Sequence, residues 1–384
     1  MAVTVREYKN VRRNCLNKYM EVCSMRYERI PTEEPIRHLW NRLDVLASVT
    51  GATTFIKRRA EEQGIQLEDD ILEEKSRGLA FCIRSAREYF NTKIEGNITS
   101  ASLAYYYGTF SLLKALLITK IENPLSLKSI EEYTKYGHGL KSYVNEGVFP
   151  ESEYIIILTN GFFAKFLSIF GYVVRDIGIS TRYNTFSDLV NGADAQKIIS
   201  FKDLVSRIPE ISGMFIELFN EQPRYLAYNA LNHPDHPEIE VKFQKNSEYI
   251  AFEDVYDILG WDDSISLCNY DEYGEQGIKT ITKIDKNLIV NKQTHSSVLS
   301  QTCYVKPLHG INDVLLLDFM LLYHISIWVR YRPALWRELI DGEHDKYRSL
   351  ITNFMIAVER VVPNLVLDRL YNKRHLFAGF SYWS

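Results

Sequence analysis

The sequence has little cysteine. It contains five cysteines in 384 residues, and no two of them lie within a Cys-x-x-Cys spacing. Their spacing excludes a zinc ribbon and a thioredoxin-like redox motif. Scattered cysteines are typical of reduced thiols in a cytosolic protein, and the N-terminal residues lack the apolar region of a secretory signal. The sequence therefore predicts a cytoplasmic protein.

Long apolar runs are also absent. No run approaches the roughly 18 residues of a membrane-spanning helix. The best candidate, residues 314–322, is interrupted by Asp318. The sequence contains no P-loop, no Gly-x-Gly-x-x-Gly after a strand, no Gly-x-Ser-x-Gly and no His-Glu-x-x-His motif. We therefore expect no membrane span, no cofactor and no bound metal.

Neither sign of charge is in large excess. The net charge is −4 and the isoelectric point about 6.2, so the chain has no overall basic footprint for nucleic acid. The charge is uneven, however. Residues 1–30 carry seven basic and three acidic residues, and residues 237–290 carry five basic and twelve acidic ones. Such segments steer charged partners or are solvated faces. We expect a protein partner or self-association, with RNA as the other candidate and no membrane.

Apolar periodicity predicts a mainly α protein. Helical stripes fall in residues 36–46, 71–90, 103–117 and 314–327, whereas residues 238–306 contain short β-prone runs separated by Gly, Asn and Asp. We predict a helical bundle formed by the N- and C-terminal halves with a small antiparallel β insert, which makes the fold α+β overall. Aromatic residues are 13% of the chain, and most of them fall on the buried stripes, which favours a core role.

Changes of composition divide the chain into parts. Pro35 opens the first helical stripe, and helical periodicity returns at Val314. We predict a basic N-terminal arm at residues 1–34, a helical region at 35–236, a β-containing acidic insert at 237–310, and C-terminal helices at 311–384 that pack on the core.

Several motifs carry a family resemblance. They are AREYFNTKIEGNITSASLAYYYGTFSLLKALL at 86–117, GHGL at 137–140, VRYRPALW at 329–336 and VERVVPNL at 358–365. In this combination and order the sequence resembles the YaaC-like family of bacterial proteins, from about residue 36 to its end. The family is poorly characterised, so the resemblance implies little chemistry.

One helix has a more distant likeness. Its pattern of Leu103, Tyr105-Tyr106, Phe110 and Lys114-Ala-Leu-Leu is similar to the second helix of HEPN domains, which implies a HEPN-like core at about 68–150. HEPN domains are small helical bundles of bacterial toxins and defence proteins, and many are dimeric, metal-independent ribonucleases. The resemblance implies a cytosolic binding or interaction protein in anti-phage defence or stress. The alternative is a ribonuclease with an Arg/His pair at a dimer interface.

The HEPN ribonuclease motif, Arg-x4–6-His, occurs at Arg337/His344 and at Arg369/His375. As the resemblance implies, the histidine would move a proton at the RNA 2′-OH and the arginine would hold the phosphate. Composition alone predicts about 1.6 such matches, so the spacing is not specific. Arg337 and His344 are the catalytic candidates of the ribonuclease alternative.

Four further residues are binding candidates. Arg330 and Arg332 lie at the C-terminal end of an apolar helix. There they either bind phosphate or carboxylate groups of a ligand, or balance the helix dipole and pair with a buried acid. His324 lies two turns upstream on the same helix. His138 stands between two glycines, which either let the backbone approach a ligand or form a tight turn.

Overall fold

The computed structural model describes residues 27–231, 237–244, 251–272, 275–290, 294–297, 299 and 302–379. Most of the predicted basic arm, residues 1–26, lies outside the described residues. The last part of that arm contains strand β1 (Tyr27–Pro31). The predicted mainly helical α+β fold is confirmed.

A helical body is built from both halves of the chain. The N-terminal half contributes α1 (Pro35–Asp44), α2 (Val49–Glu62), α3 (Asp69–Phe90), α4 (Ile98–Ile118), α5 (Leu127–Thr134), α6 (Phe162–Ile169), α7 (Val174–Ile177), α8 (Phe186–Val190), α9 (Phe201–Val205) and α10 (Ser212–Phe219). The C-terminal half follows the short helices α11 (Phe252–Leu259) and α12 (Asn287–Val290), and it contributes α13 (Val314–Tyr331), α14 (Pro333–Asp341) and α15 (Arg348–Tyr371). Single 3-10 turns lie at Val45–Ala47, Ala195–Lys197, Pro209–Ile211 and Asp345–Tyr347.

Helices α4 and α13 form the centre of this body. Both are apolar on nearly every face, and most of their residues are buried because α4 packs against α3, α13 and α15. At Gly108 in α4, a Cβ atom would lie 2.7 Å from the Phe90 ring of α3. A side chain at this position would force the two helices apart, which explains a glycine inside a helix.

Three small sheets surround the body. Strand β1 pairs in parallel with β11 (Arg374–Ala378) and ties the described N-terminal residues to the end of the chain. A second, antiparallel sheet runs in the order β2 (Leu140–Val144), β3 (Glu153–Ile157) and β4 (Ile199–Ser200). The third runs in the order β10 (Cys303–Val305), β5 (Tyr225–Leu231), β6 (Glu238–Gln244), β8 (Glu275–Thr280) and β7 (Leu267–Glu272), with β9 (Ile284–Asp285) paired to β6.

The third sheet covers most of the predicted insert but begins before it. Strand β5 precedes residue 237 and lies in the segment predicted to be helical. Its sequence, YLAYNAL, carries aromatic residues that also suit a strand. Together with α11 the sheet has a separate hydrophobic core that includes Val241, Phe243, Ile258 and Ile278.

Two helical segments, Val314–Tyr331 and Asp345–Tyr371, are long and apolar enough to cross a membrane. In the apolar 18-residue stretch of each segment, 78% and 72% of the residues are nevertheless buried within the protein, as expected for core helices. Asp318, which interrupts the apolar run of α13, is itself buried, and burial raises its pKa well above the usual range. Burial therefore favours the uncharged form of this acid.

A buried lysine caps the central helix. Lys75 of α3 is fully buried, and its Nζ donates to the carbonyl oxygens of Ile118, Lys120 and Leu125 at 2.9, 3.1 and 3.3 Å. Burial lowers the pKa of Lys75 to about 8, so the amine remains mostly charged at neutral pH. A cation at this place also complements the C-terminal end of the α4 dipole.

We expect Lys75→Met to lower the free energy of unfolding by about 1–3 kcal/mol, because three buried carbonyl groups lose their donor. Urea unfolding followed by far-ultraviolet circular dichroism measures this loss. Lys128→Met, which changes an exposed lysine of α5, is the matched control and is expected to have almost no effect. Equal losses of unfolding free energy in the two variants would contradict the capping role of Lys75.

Candidate functional site

The C-terminal half of α13 brings the four predicted binding residues into two clusters. The first contains Ser142, Glu153, His324, Trp328 and Arg332, and we call it the Glu153 clamp. The second contains Tyr106, Tyr107, Lys114, His138 and Arg330, and we call it the cation–tyrosine site. Each cluster therefore holds one of the two arginines of the VRYRP motif and one of the two candidate histidines.

The Glu153 clamp joins α13 to strand β3. Glu153 is fully buried, and Arg332 Nη1 donates to both of its carboxylate oxygens at 2.6 Å. Trp328 Nε1 donates to the same carboxylate at 3.0 Å. A buried carboxylate is stable only when it is paired and hydrogen-bonded, and here both requirements are met by residues one turn apart on one helix end. Arg332 thus follows the structural alternative, since it pairs with a buried acid.

Ser142, His324 and Glu153 lie in the sequence of contacts, hydroxyl to imidazole to carboxylate, that is found in a hydrolytic triad. Ser142 Oγ lies 3.0 Å from His324 Nδ1, and His324 Nε2 lies 3.6 Å from Glu153 Oε2, which is too far for a hydrogen bond. In a working triad the acid stabilises the imidazolium that forms during the reaction. Here the charge of Glu153 is already balanced by Arg332, so the carboxylate is not free for that role.

The electrostatics of His324 agree with this conclusion. Its ring is 1% exposed, and burial together with the charge of Arg332 lowers the pKa of His324 to about 3. A base that resists protonation so strongly does not take a proton from Ser142 near neutral pH. We therefore assign the Glu153 clamp a structural role.

The GHGL motif builds the loop of the cation–tyrosine site. The carbonyl oxygens of Gly137 and His138 accept hydrogen bonds from the backbone N–H groups of Phe162 and Phe163 at the start of α6. Gly139 has a φ of +82°, and a Cβ atom there would lie 2.8 Å from the Phe163 nitrogen. The glycines therefore let the loop cap α6 at close range, as in the predicted tight turn, and they leave the His138 side chain on the α4 side.

His138 lies among aromatic rings. Its Nδ1 is hydrogen-bonded to the hydroxyl of the fully buried Tyr106 at 2.8 Å. The rings of Phe110 and Tyr323 lie 5.4 and 6.1 Å from the imidazole, centroid to centroid. Burial, followed by the charges of Arg330 and Lys114, lowers the pKa of His138. The imidazole is accordingly neutral at pH 7.

Arg330 lies against the tyrosines of α4. Its Nε and Nη2 donate to the carbonyl and hydroxyl of Ser326, and Nη1 donates to the Tyr107 hydroxyl at 3.4 Å. Its guanidinium carbon is 5.8 Å from the Tyr106 ring centroid and 5.1 Å from that of Tyr331. Within the described residues Arg330 has no acidic partner, and two of its five N–H donors are left for a ligand.

Lys114 is the second cation of the site. It is half-buried on α4, and its Nζ lies 4.4 Å from the Phe110 ring centroid, in a cation–π contact. The described part of the chain supplies no ion pair for this amine. Phe110 touches His138, and the charges of Lys114 and Arg330 both act on the histidine. The two cations without an ion pair, together with the exposed ring of Tyr331 beside Arg330, form a site for an anion that also carries a flat group.

The two Arg-x4–6-His pairs have different surroundings. Arg337 is exposed and pairs with Asp341 at 3.3 Å, whereas the ring of His344 lies 5.7 Å from that of Phe149. Helix α14 ends between them at Asp341.

Arg369 and His375 likewise have different partners. Arg369 pairs with Asp313 at 2.6 Å, whereas His375 is hydrogen-bonded to Asp368 at 2.9 Å inside the buried network that joins β11 to α15. In both pairs the arginine and the histidine therefore use separate partners.

Other parts of the described surface show fewer features of a binding site than the two clusters. No group of three or more His, Cys, Asp or Glu side chains in the described residues is placed to hold a metal ion. A cleft of about 530 Å³ lies between the end of α6 and the turn at His309 and Gly310. Its lysine, Lys197, already donates to the carbonyl of Gly178 at 2.7 Å. None of the predicted residues lines this cleft, and we do not place the site there.

Six residues of the two clusters were not site candidates in the sequence, and three of these six nevertheless carry a signal there. Glu153 stands at the start of the apolar run EYIII, and an acid in a buried strand signals a buried cation partner. Tyr107 and Lys114 lie seven residues apart on α4 and therefore share a face, which points toward Arg330 and His138. The sequence therefore shows that Tyr107 and Lys114 share a face of α4, but it does not show which face of α13 packs against them.

Together, fold and site define a class: a mainly helical α+β protein with a small β unit and a partly exposed cationic site beside tyrosine rings. The model of the family described as YaaC-like Protein matches residues 44–370. The chain therefore belongs to the YaaC-like family. No curated protein and no solved structure matches it. The HEPN-like resemblance is not confirmed by these comparisons.

We expect Glu153→Gln to lower the free energy of unfolding by about 3 kcal/mol, because Arg332 loses its buried counter-charge. Urea unfolding followed by tryptophan fluorescence reports this change, since Trp328 donates to the same carboxylate. Glu34→Gln, which breaks the exposed pair with Arg37, is the control and should cost less than about 1 kcal/mol. If the two losses are the same, the clamp is not a dominant contact.

The lowered pKa of His324 predicts that the stability of the protein depends on pH. Its pKa is about 3 in the folded protein, below the ordinary value of 6.5, so the unfolded chain binds the extra proton as the pH falls. This contribution to stability is complete above pH 6.5 and is lost toward pH 3, with a loss of about 2 kcal/mol between pH 7 and pH 5. In His324→Gln the loss between these two pH values should be smaller by that amount in urea unfolding. An unchanged pH profile in the variant would contradict the assignment.

Proposed function

We propose that the protein binds single-stranded RNA through the cation–tyrosine site. The observation that carries this proposal is the pair of cations, Arg330 and Lys114, that lack an acidic partner among the described residues. Arg330 lies beside the rings of Tyr107 and Tyr331, and Lys114 lies over Phe110 on the same helix as Tyr107. Single-stranded nucleic acid is recognised by cations that hold its phosphates and by aromatic rings that stack on its bases. The site combines both kinds of group.

The exposure of the rings supports a single strand over a duplex. Tyr331 is 68% exposed beside Arg330, and Tyr107 is half-buried on the adjacent helix. Bases stack on such rings only when they are unpaired. The net charge of −4 means that the attraction is local to the site, so we expect moderate affinity with a clear salt dependence.

The other parts of the functional hypothesis stay proposals. Work in the cytoplasm, a role in anti-phage defence or stress, and a protein partner or self-association are compatible with an RNA-binding site, but they draw no support from its geometry. The ribonuclease alternative with Arg337 and His344 draws none either, because the two side chains have separate partners. RNA cleavage in the presence of EDTA that is lost in His344→Ala would restore it.

We expect wild-type protein to bind a fluorescent oligouridylate, measured by anisotropy over a range of salt concentrations. Lys114→Gln and Arg330→Gln should each weaken binding about fivefold and lower the slope of log affinity against log salt by about 0.7, because each removes one phosphate contact. Arg77→Gln removes an exposed cation that is paired with Glu73 outside the site, and it should leave the affinity unchanged.

Two outcomes would overturn the proposal. If wild-type protein fails to bind oligouridylate even at low salt, RNA is not the ligand, and an acidic protein partner becomes the candidate. If binding occurs but Arg77→Gln weakens it as much as Lys114→Gln does, the contact is a non-specific surface effect. Circular dichroism of each variant checks that the fold is retained.

A further inference from the structure

His138 differs from the other members of the cation–tyrosine site. Arg330 and Lys114 carry fixed charges, whereas the imidazole is held in its neutral form by burial and by these two charges. The charged groups that act on it are both cations: Arg330 from α13 and Lys114 from α4. A phosphate group bound at the site would offset this repulsion and favour a charged imidazole instead.

The remaining neighbours of His138 disfavour the charged ring only by burying it. Helix α4 contributes the hydroxyl of Tyr106, and α13 contributes Tyr323, whose own hydroxyl donates to the carbonyl of Leu140. Helix α6 meets the loop through the backbone N–H groups of Phe162 and Phe163. Apart from the two cations, the groups around the ring are therefore neutral.

The hydrogen bond to Tyr106 tolerates either state of the histidine. A tyrosine hydroxyl both donates and accepts. It donates to Nδ1 when that nitrogen carries no proton, and it accepts from Nδ1–H when the ring is charged. Burial raises the pKa of Tyr106, so this partner stays a neutral phenol in both states. The contact of 2.8 Å is thus kept when His138 gains a proton.

The second ring nitrogen is open to a ligand. In the described part of the chain Nε2 of His138 has no hydrogen-bond partner and is not fully buried. His324 is the contrasting case in the same protein, since its Nε2 is buried without a partner and its ring is 1% exposed. Nε2 of His138 is therefore accessible, whereas Nε2 of His324 is not.

We propose that the cation–tyrosine site takes up a proton when it binds a phosphate group, with His138 as the residue that accepts the proton. The proposal rests on the proposed RNA binding and adds its regulation. His138 becomes the third cation of the occupied site, and its Nε2–H donates to a phosphate oxygen. Affinity for phosphate-bearing ligands therefore rises as the pH falls from the pKa of the occupied site toward the lowered pKa of the free site.

The test measures oligouridylate affinity by anisotropy at fixed salt from about pH 7.5 to about pH 5.5, where neither uracil nor phosphodiester groups titrate. For one linked proton we expect the affinity of wild-type protein to rise by up to about tenfold per pH unit within the window. In His138→Gln, which keeps a donor and an acceptor for Tyr106, the affinity should be almost independent of pH. His38→Gln changes an exposed histidine of α1 and should behave as wild type.

A second readout counts the proton directly. Calorimetric titration in two buffers of different ionisation enthalpy should give an uptake of up to about one proton per bound oligonucleotide in the wild type, and none in His138→Gln. If the affinities of wild type and His138→Gln change equally with pH, or if the wild type binds without proton uptake, this inference is overturned. In both cases the RNA proposal still stands. If wild-type protein binds no oligouridylate at any pH, both proposals fail.

Discussion

A single buried carboxylate fixes the position of the end of α13. Glu153 lies on β3 with no exposure to solvent, and its charge is satisfied by Arg332 and Trp328. Because an uncompensated buried charge is so unfavourable, the end of α13 cannot move away from β3 without breaking the pair. Strand β2 pairs with β3 and continues directly from the GHGL loop, so the same contact also determines where His138 lies relative to α13.

The clamp gives the two arginines of the VRYRP motif different roles. Arg332 is directed to β3 and has a full-charge partner. Arg330 comes two residues earlier and is directed to α4, where it meets hydroxyl and carbonyl groups and the faces of tyrosine rings. Arg332 therefore stabilises the helix end, and Arg330 remains available to a ligand. Sequence reasoning left both alternatives open for both residues, because side-chain direction at a helix end depends on packing.

Local pattern predicted much of the fold. Long stripes at helical spacing located α3, α4 and α13, since a helix of this length can bury its apolar face only against other helices. The pairing of β1 with β11 was not predictable, because Tyr27 and Arg374 lie at opposite ends of the sequence and each strand has only five residues. Strand β5 was missed for a related reason, since its assignment depends on partners that follow it in the chain.

The candidate site was predictable only in pieces. Arg330 and His138 were identified one at a time, as a helix-end cation and a histidine between glycines. Their shared environment depends on α4, which is separated from Arg330 by 223 residues at the Tyr107 contact. The high aromatic content was interpreted as a sign of core residues. This holds for Tyr106 and Tyr323, which are buried and whose hydroxyl groups have hydrogen-bond partners. The particular partner of Tyr106, an imidazole whose other ring nitrogen is not fully buried, follows from the packing alone.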